Sequence, residues 1–97
     1  MKLPSQSGGG EPDITYENLG APATYTIQAN TFKTCVIRKF EFSGSAGELT
    51  ATNATVTRLD SGYDAKQREY KVVVTNTAND CVITNGGNNY MEIFKIV

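Results

Sequence analysis

"ATYTIQANTFKTCVIRKF" at residues 23–40 and "EYKVVVTNTANDCVIT" at residues 69–84 decide the fold of this chain: each joins a Tyr-led run through an Asn-Thr turn to a Cys-Val-Ile strand start. In the first, Tyr25, Ile27 and Ala29 share one face and Thr24, Thr26 and Gln28 the other, the period of two expected of a strand with one wet side. In the second, Tyr70, Val72 and Val74 repeat the pattern. "NTFKTCVI" (30–37) and "NTANDCVI" (76–83) are near-copies holding the only two cysteines, Cys35 and Cys81. The repeat predicts two matching hairpins of a pseudo-symmetric sheet.

Working outward, β-branched Thr recurs in "ATYTIQANT" and "ELTATNATVTRL", and such side chains suit a pleated, half-buried surface better than a helix. Strands are predicted near 23–29, 34–42, 48–58, 68–76, 80–84 and 90–97, with a bulge near Asn53 where the alternation of the third run fails. In the second strand Val36, Phe40 and Phe42 fall on one face with Arg38, and Cys35 and Ile37 on the other with Lys39. "SGSAGE" (43–48) and "NGGNN" (85–89) read as hairpin loops. "LDSGYDAKQRE" (59–69) reads as a polar loop with at most one helical turn at 64–68. The fold class that follows is all-β, a small antiparallel sandwich or barrel of about six strands. Residues 1–20, with Gly8, Gly9, Gly10, Pro4 and Pro12, are expected to form an extended or flexible N-terminal arm, and residues 21–97 the β domain.

Ninety-seven residues make one domain at most, near the size at which a small fold leans on an oligomer. Nine basic and ten acidic residues leave a net charge of −1, which offers no field to draw nucleic acid or an anionic membrane. The opening residues lack the apolar run of a secretory leader, and no stretch approaches a membrane span, so synthesis in the cytoplasm is expected.

The chain has no His, which removes the commonest general base and the usual hydrolase triad. Two cysteines alone are also too few soft ligands for a tetrahedral zinc site, and no metal or cofactor is expected. Cys35 and Cys81 leave two readings open, a disulfide or a pair of buried thiols. Among the carboxylates, Asp60 and Asp64 lie four apart in a Gly-containing loop and are the one catalytic pair to weigh against a solvated loop. Basic residues interleave with aromatics, as Arg38 and Lys39 do with Phe40, yet alternate to opposite faces of one strand, which reads as charges on a sheet surface. Tyr63 and Tyr90 beside Asn88 and Asn89 outline a platform on which a sugar could stack and bond.

Three features remain: a Gly/Pro-rich arm, a compact Thr- and Asn-rich β module and an apolar last strand. This layout resembles small phage virion components, such as capsid decoration (cement) proteins and β-structured head-fibre or tail modules. The resemblance carries no motif, so no residue roles come with it. It implies a non-enzymatic structural protein of the virion, oligomeric, whose partners are capsid or fibre subunits. The residues expected at intersubunit contacts are Ile14, Tyr16 and Leu19 of the arm and Met91, Ile93, Phe94 and Ile96 of the last strand. The alternative is a carbohydrate- or cell-surface-binding β module using Tyr63, Asn88, Asn89 and Tyr90.

Overall fold

Alternating apolar runs become strands here, eight of them among the described residues rather than six: β1 Ile14–Gly20, β2 Thr24–Ile27, β3 Thr34–Phe40, β4 Thr50–Ala51, β5 Ala54–Arg58, β6 Gln67–Val74, β7 Cys81–Thr84 and β8 Tyr90–Ile96. The structure is a computed structural model and describes residues 13–40, 47–60, 66–87 and 89–97. These residues contain no helix and pair wholly antiparallel, in a five-stranded sheet of order β1-β8-β3-β6-β5 and a three-stranded sheet of order β2-β7-β4. One apolar core lies between them in a sandwich-like arrangement. Cys35, Ile37, Val72, Val74, Met91 and Ile93 enter it from the larger sheet, and Ile27, Cys81 and Ile83 from the smaller. Each large aliphatic side chain so buried contributes about 1.5–3 kcal/mol.

The two Asn-Thr repeats are not hairpins. The turn at 28–33 carries the chain from β2 in the smaller sheet to β3 in the larger, and the turn at 75–80 carries it back from β6 to β7. Each repeat is therefore an arch between layers, and the two arches interlock, with β2 paired to β7 and β3 to β6. The turns also bond one another: Asn30 N donates to Thr77 O at 2.7 Å, and Val74 N to Lys33 O at 2.8 Å. Asn30 takes the left-handed conformation that begins the first turn, a position Asn tolerates better than most residues.

Four further expectations are corrected, three of them by layer switching. "NGGNN" is not a hairpin loop, because β7 and β8 belong to different sheets, and the same holds for "SGSAGE" between β3 and β4, of which residues 43–46 lie outside the described residues. At Asn53 the third run does not bulge but breaks, at φ 55°, and the chain passes from β4 in one sheet to β5 in the other. The Asn53 amide fixes this crossing to the second arch, donating to Asn76 O at 2.8 Å and accepting from Asn76 N at 3.1 Å. Finally, Ile14–Gly20, expected within the arm, is an edge strand in register with β8 from Ile14↔Ile96 to Asn18↔Glu92. Ile14 and Tyr16 alternate with Thr15 and Glu17, but the run ends at Asn18 and adjoins the Gly- and Pro-containing opening, so it reads as arm. Residues 1–12 lie outside the described residues.

Gly86 shows how tightly the link from β7 to β8 crosses the link into β4. Its φ is +77°, and a Cβ built there would lie 2.0 Å from Glu48 O. Gly86→Ala is expected to lower stability by about 2–4 kcal/mol through backbone strain and overpacking. Gly87→Ala, whose Cβ would meet nothing nearer than 3.4 Å, is expected to be nearly neutral. Urea unfolding of both variants checks the contrast, and equal losses would refute it.

Candidate functional site

The strand registers lay out the outer face of the five-stranded sheet as a grid. Because Cys35, Ile37 and Lys39 point into the core, the alternate residues Thr34, Val36, Arg38 and Phe40 point outward, and the registers carry that parity across the sheet. One row reads Ile14, Ile96, Thr34, Val73 and the next reads Tyr16, Phe94, Val36, Lys71. A third is charged, with Glu92, Arg38 and Glu69, and a fourth holds Tyr90, Phe40 and Gln67. Ile14, Ile96, Val73, Tyr16, Phe94 and Val36 thus form an apolar corner around Thr34, every member half-buried. Among the described residues no strand packs over it. An outward face normally alternates to polar residues, and six apolar side chains on this one depart from that pattern.

The corner is held in shape from within the sheet. The Tyr16 and Phe94 rings lie 5.2 Å apart at 51°, and the Tyr16 hydroxyl donates to Glu92, which raises the tyrosine's ionisation above its ordinary value. In the charged row Arg38 lies 3.5 Å from Glu69 and 5.4 Å from the Phe40 ring. Half-exposed pairs of this kind are worth at most about 1 kcal/mol each, so the row adds little to stability.

The expected contact residues divide by parity. Ile14, Tyr16, Phe94 and Ile96 meet on this outer face. Leu19 packs against the core, and Met91 and Ile93 lie wholly inside it, which leaves them no surface for a neighbouring subunit.

Of the expected sugar platform, Asn89 and Tyr90 fall within the described residues and they face different surroundings. Asn89 is buried, its Oδ1 accepting from Gly47 N at 2.9 Å, so its amide serves the fold, while Tyr90 is 49 % exposed at the edge of the outer face. Tyr63 and Asn88 lie outside the described residues. Of the two loop carboxylates, Asp64 also lies outside them, and Asp60 is engaged by Arg58 at 2.9 Å and by Glu69 N at 3.0 Å, closing the β5–β6 hairpin.

Sequence reading placed Lys39 at the surface; it is 0 % exposed. Its ammonium donates to the carbonyls of Gly47 at 2.7 Å, Glu48 at 3.0 Å and Asn85, using all three protons. Asn85 is buried beside it and donates to Pro22 O at 2.7 Å and Asn89 O at 2.8 Å. This polar knot ties β3 to the links entering β4 and leaving β7. The signal was present in the sequence, since Lys39 shares its parity with Cys35 and Ile37.

Cys35 and Cys81 are both buried free thiols, not a disulfide. They occupy corresponding places after the two arches, one in each sheet, and the charge that Cys81 would carry helps hold the Cys35 thiol neutral. Compared with known proteins, the chain matches no protein-family model, no curated protein and no solved structure, so no residue role is carried over from a relative.

Burial, and then the neighbouring Cys81, push the Cys35 thiol up to about 12, and burial pulls the Lys39 ammonium down to about 8. In unfolded chains the thiol ionises near 9 and the ammonium near 10.5. The folded state therefore keeps the Cys35 proton longer than the unfolded state, and its contribution is whole below about pH 8.5 and falls as pH climbs toward 12. Lys39 acts in the opposite sense, adding stability between pH 8 and 10.5 as the unfolded chain comes to hold the extra proton. The urea midpoint of Cys35→Ala is expected to start lower at pH 7 but to lose less than the wild type between pH 8 and pH 10.5, the Lys39 contribution being common to both. Parallel pH profiles would show that Cys35 ionises as freely when folded as when unfolded.

Proposed function

We propose that this chain is a non-enzymatic structural module of an assembly, of the capsid decoration (cement) or fibre type, that binds neighbouring protein subunits through the outer face of its five-stranded sheet. The observation that carries the reading is the apolar corner of Ile14, Tyr16, Val36, Val73, Phe94 and Ile96, half-exposed on an outward sheet face.

Size supports an arm as well as a face. Five strands at about 4.8 Å and seven residues at about 3.3 Å give a face of roughly 24 by 23 Å, or ~550 Å² in projection. A standard stable contact takes about 800 Å² from each partner. The dozen residues that precede β1 supply the difference when laid across a neighbour, and they join the sheet at Asp13, beside the apolar corner. Within this reading the two layers are a β-sandwich, the oligomer is built from copies of this chain, and the place of action is a virion surface. The resemblance in layout to small phage virion components supports that setting.

A second reading, a carbohydrate- or cell-surface-binding module, is favoured by one observation: Tyr90 is half-exposed and paired in register with Phe40, an aromatic ledge at the far edge of the same face. Loss of glycan binding on Tyr90→Ala, with self-association intact, would select it.

Two outcomes are expected in sedimentation velocity. The wild type self-associates, and Val36→Lys combined with Phe94→Lys sediments as a monomer while keeping its circular dichroism and melting temperature, because both side chains lie outside the core. Deleting residues 2–12 weakens self-association and leaves the fold, whereas a deletion running past Asp13 removes β1 as well. A monomeric wild type, or a double variant that still associates, would sink the face as the contact surface.

A further inference from the structure

The edge of the smaller sheet carries a second, independent surface. In the β2–β7 pair, Asn85 N donates to Ala23 O at 2.9 Å, whereas both backbone groups of Val82 are turned to the other side: its N–H donates to Thr52 Oγ1 and its carbonyl accepts from Thr52 N, each at 3.0 Å. Val82 is the register partner of Thr26, and Thr84 of Thr24. In an antiparallel pair the bonded and non-bonded positions alternate, so Thr24 and Thr26 turn their N–H and C=O groups away from β7. Among the described residues no strand pairs with that edge, since β2 ends its sheet.

Space and charge lie alongside. The three-stranded sheet faces a five-stranded one, and next to the free edge is a hollow of about 320 Å³ whose lining includes Tyr25, Gln28, Phe32 and Lys95. Lys95 Nζ stands 5.7 Å from the centre of the Phe32 ring and 2.9 Å from Glu17, and Lys33 lies in the adjoining hollow beyond Phe32. The Lys95 ammonium has three protons and gives one of them to Glu17, which leaves it able to take a second carboxylate. Asp80 lies on the β7 side, where it accepts from Ala29 N at 2.8 Å.

We propose that the free edge of β2 takes up an extended peptide segment of another protein by strand addition, and that the segment sets a carboxylate side chain into the hollow against Lys95. Main-chain bonds to Thr24 and Thr26 supply the pairing and the Lys95 contact the selectivity, the division of labour found wherever a strand is added to a sheet edge. A second copy of β2 does not complete the site, because Thr24–Ile27 contains no carboxylate. The free edge of β1 is a poorer template, since its register shifts between Asn18 and Gly20.

The test is amide hydrogen exchange of the full chain, followed residue by residue by NMR, with a synthetic acidic strand peptide, TVEVEVT, and its basic counterpart, TVKVKVT. At saturation the acidic peptide is expected to slow exchange at Thr24 and Thr26 by about tenfold or more while the basic one does not. Thr26→Pro removes the outward N–H at an edge position that tolerates proline, and is expected to abolish this protection without unfolding the protein. Lys95→Gln should remove the preference for the acidic peptide. Equal protection by both peptides, protection confined to β1, or full binding by Thr26→Pro would each overturn the proposal.

Discussion

Everything in this molecule depends on the interlocking of two arches. Strands that are neighbours in the chain, β2 with β3 and β6 with β7, never pair with each other, and each finds its hydrogen bonds in the other arch. Neither half can satisfy its backbone alone, because an arch leaves both strands with open edges. The core is dictated by the same constraint: Cys35 and Cys81 enter it from opposite layers only because the two copies of the motif cross the midplane in opposite directions. Folding must therefore bring residues near 25 and 82, and near 36 and 71, together before either arch is stable. Such non-local pairing is slow relative to hairpin closure.

Strand existence was legible and strand partnership was not. Alternation of Tyr25 with Ile27, and of Tyr70 with Val72 and Val74, is a property of each segment and survives into the structure. A turn rich in Asn and Thr, however, looks alike whether it folds a strand back beside its predecessor or lifts it into the other layer, and the repeats were misread as hairpins for that reason. At Asn53 the lost alternation recorded a real event, the change of layer, under the wrong name. β1 escaped because its alternation lasts only from Ile14 to Glu17 before Asn18 ends it, directly after the Gly- and Pro-containing opening.

The candidate surface was half legible. Sequence alone singles out the apolar residues of the last strand, but parity divides them, Met91 and Ile93 to the core and Phe94 and Ile96 to the outside, and parity has meaning only once the core side is known. Lys39 erred in the other direction. A charged residue at a core parity is assumed to reach for water, yet three carbonyls converging from the links around Gly47 and Asn85 hold this one inside. That convergence is assembled by residues 8, 9 and 46 positions further along the chain, beyond the range of any local pattern.

The exchange of backbone bonds between Asp13 and Val97, each donating to the other at 2.9 Å, places both ends of the described chain at one corner of the larger sheet. Tension applied through those two points would not shear β1 along β8 but peel it away, loading one pair of hydrogen bonds at a time. A module strung end to end in a stretched filament would open at this corner under small force. The same module lying sideways on a shell takes its load across the sheet face, where every strand shares it. Within the proposed function, that mechanics suits a module lying flat on a surface better than one pulled end to end.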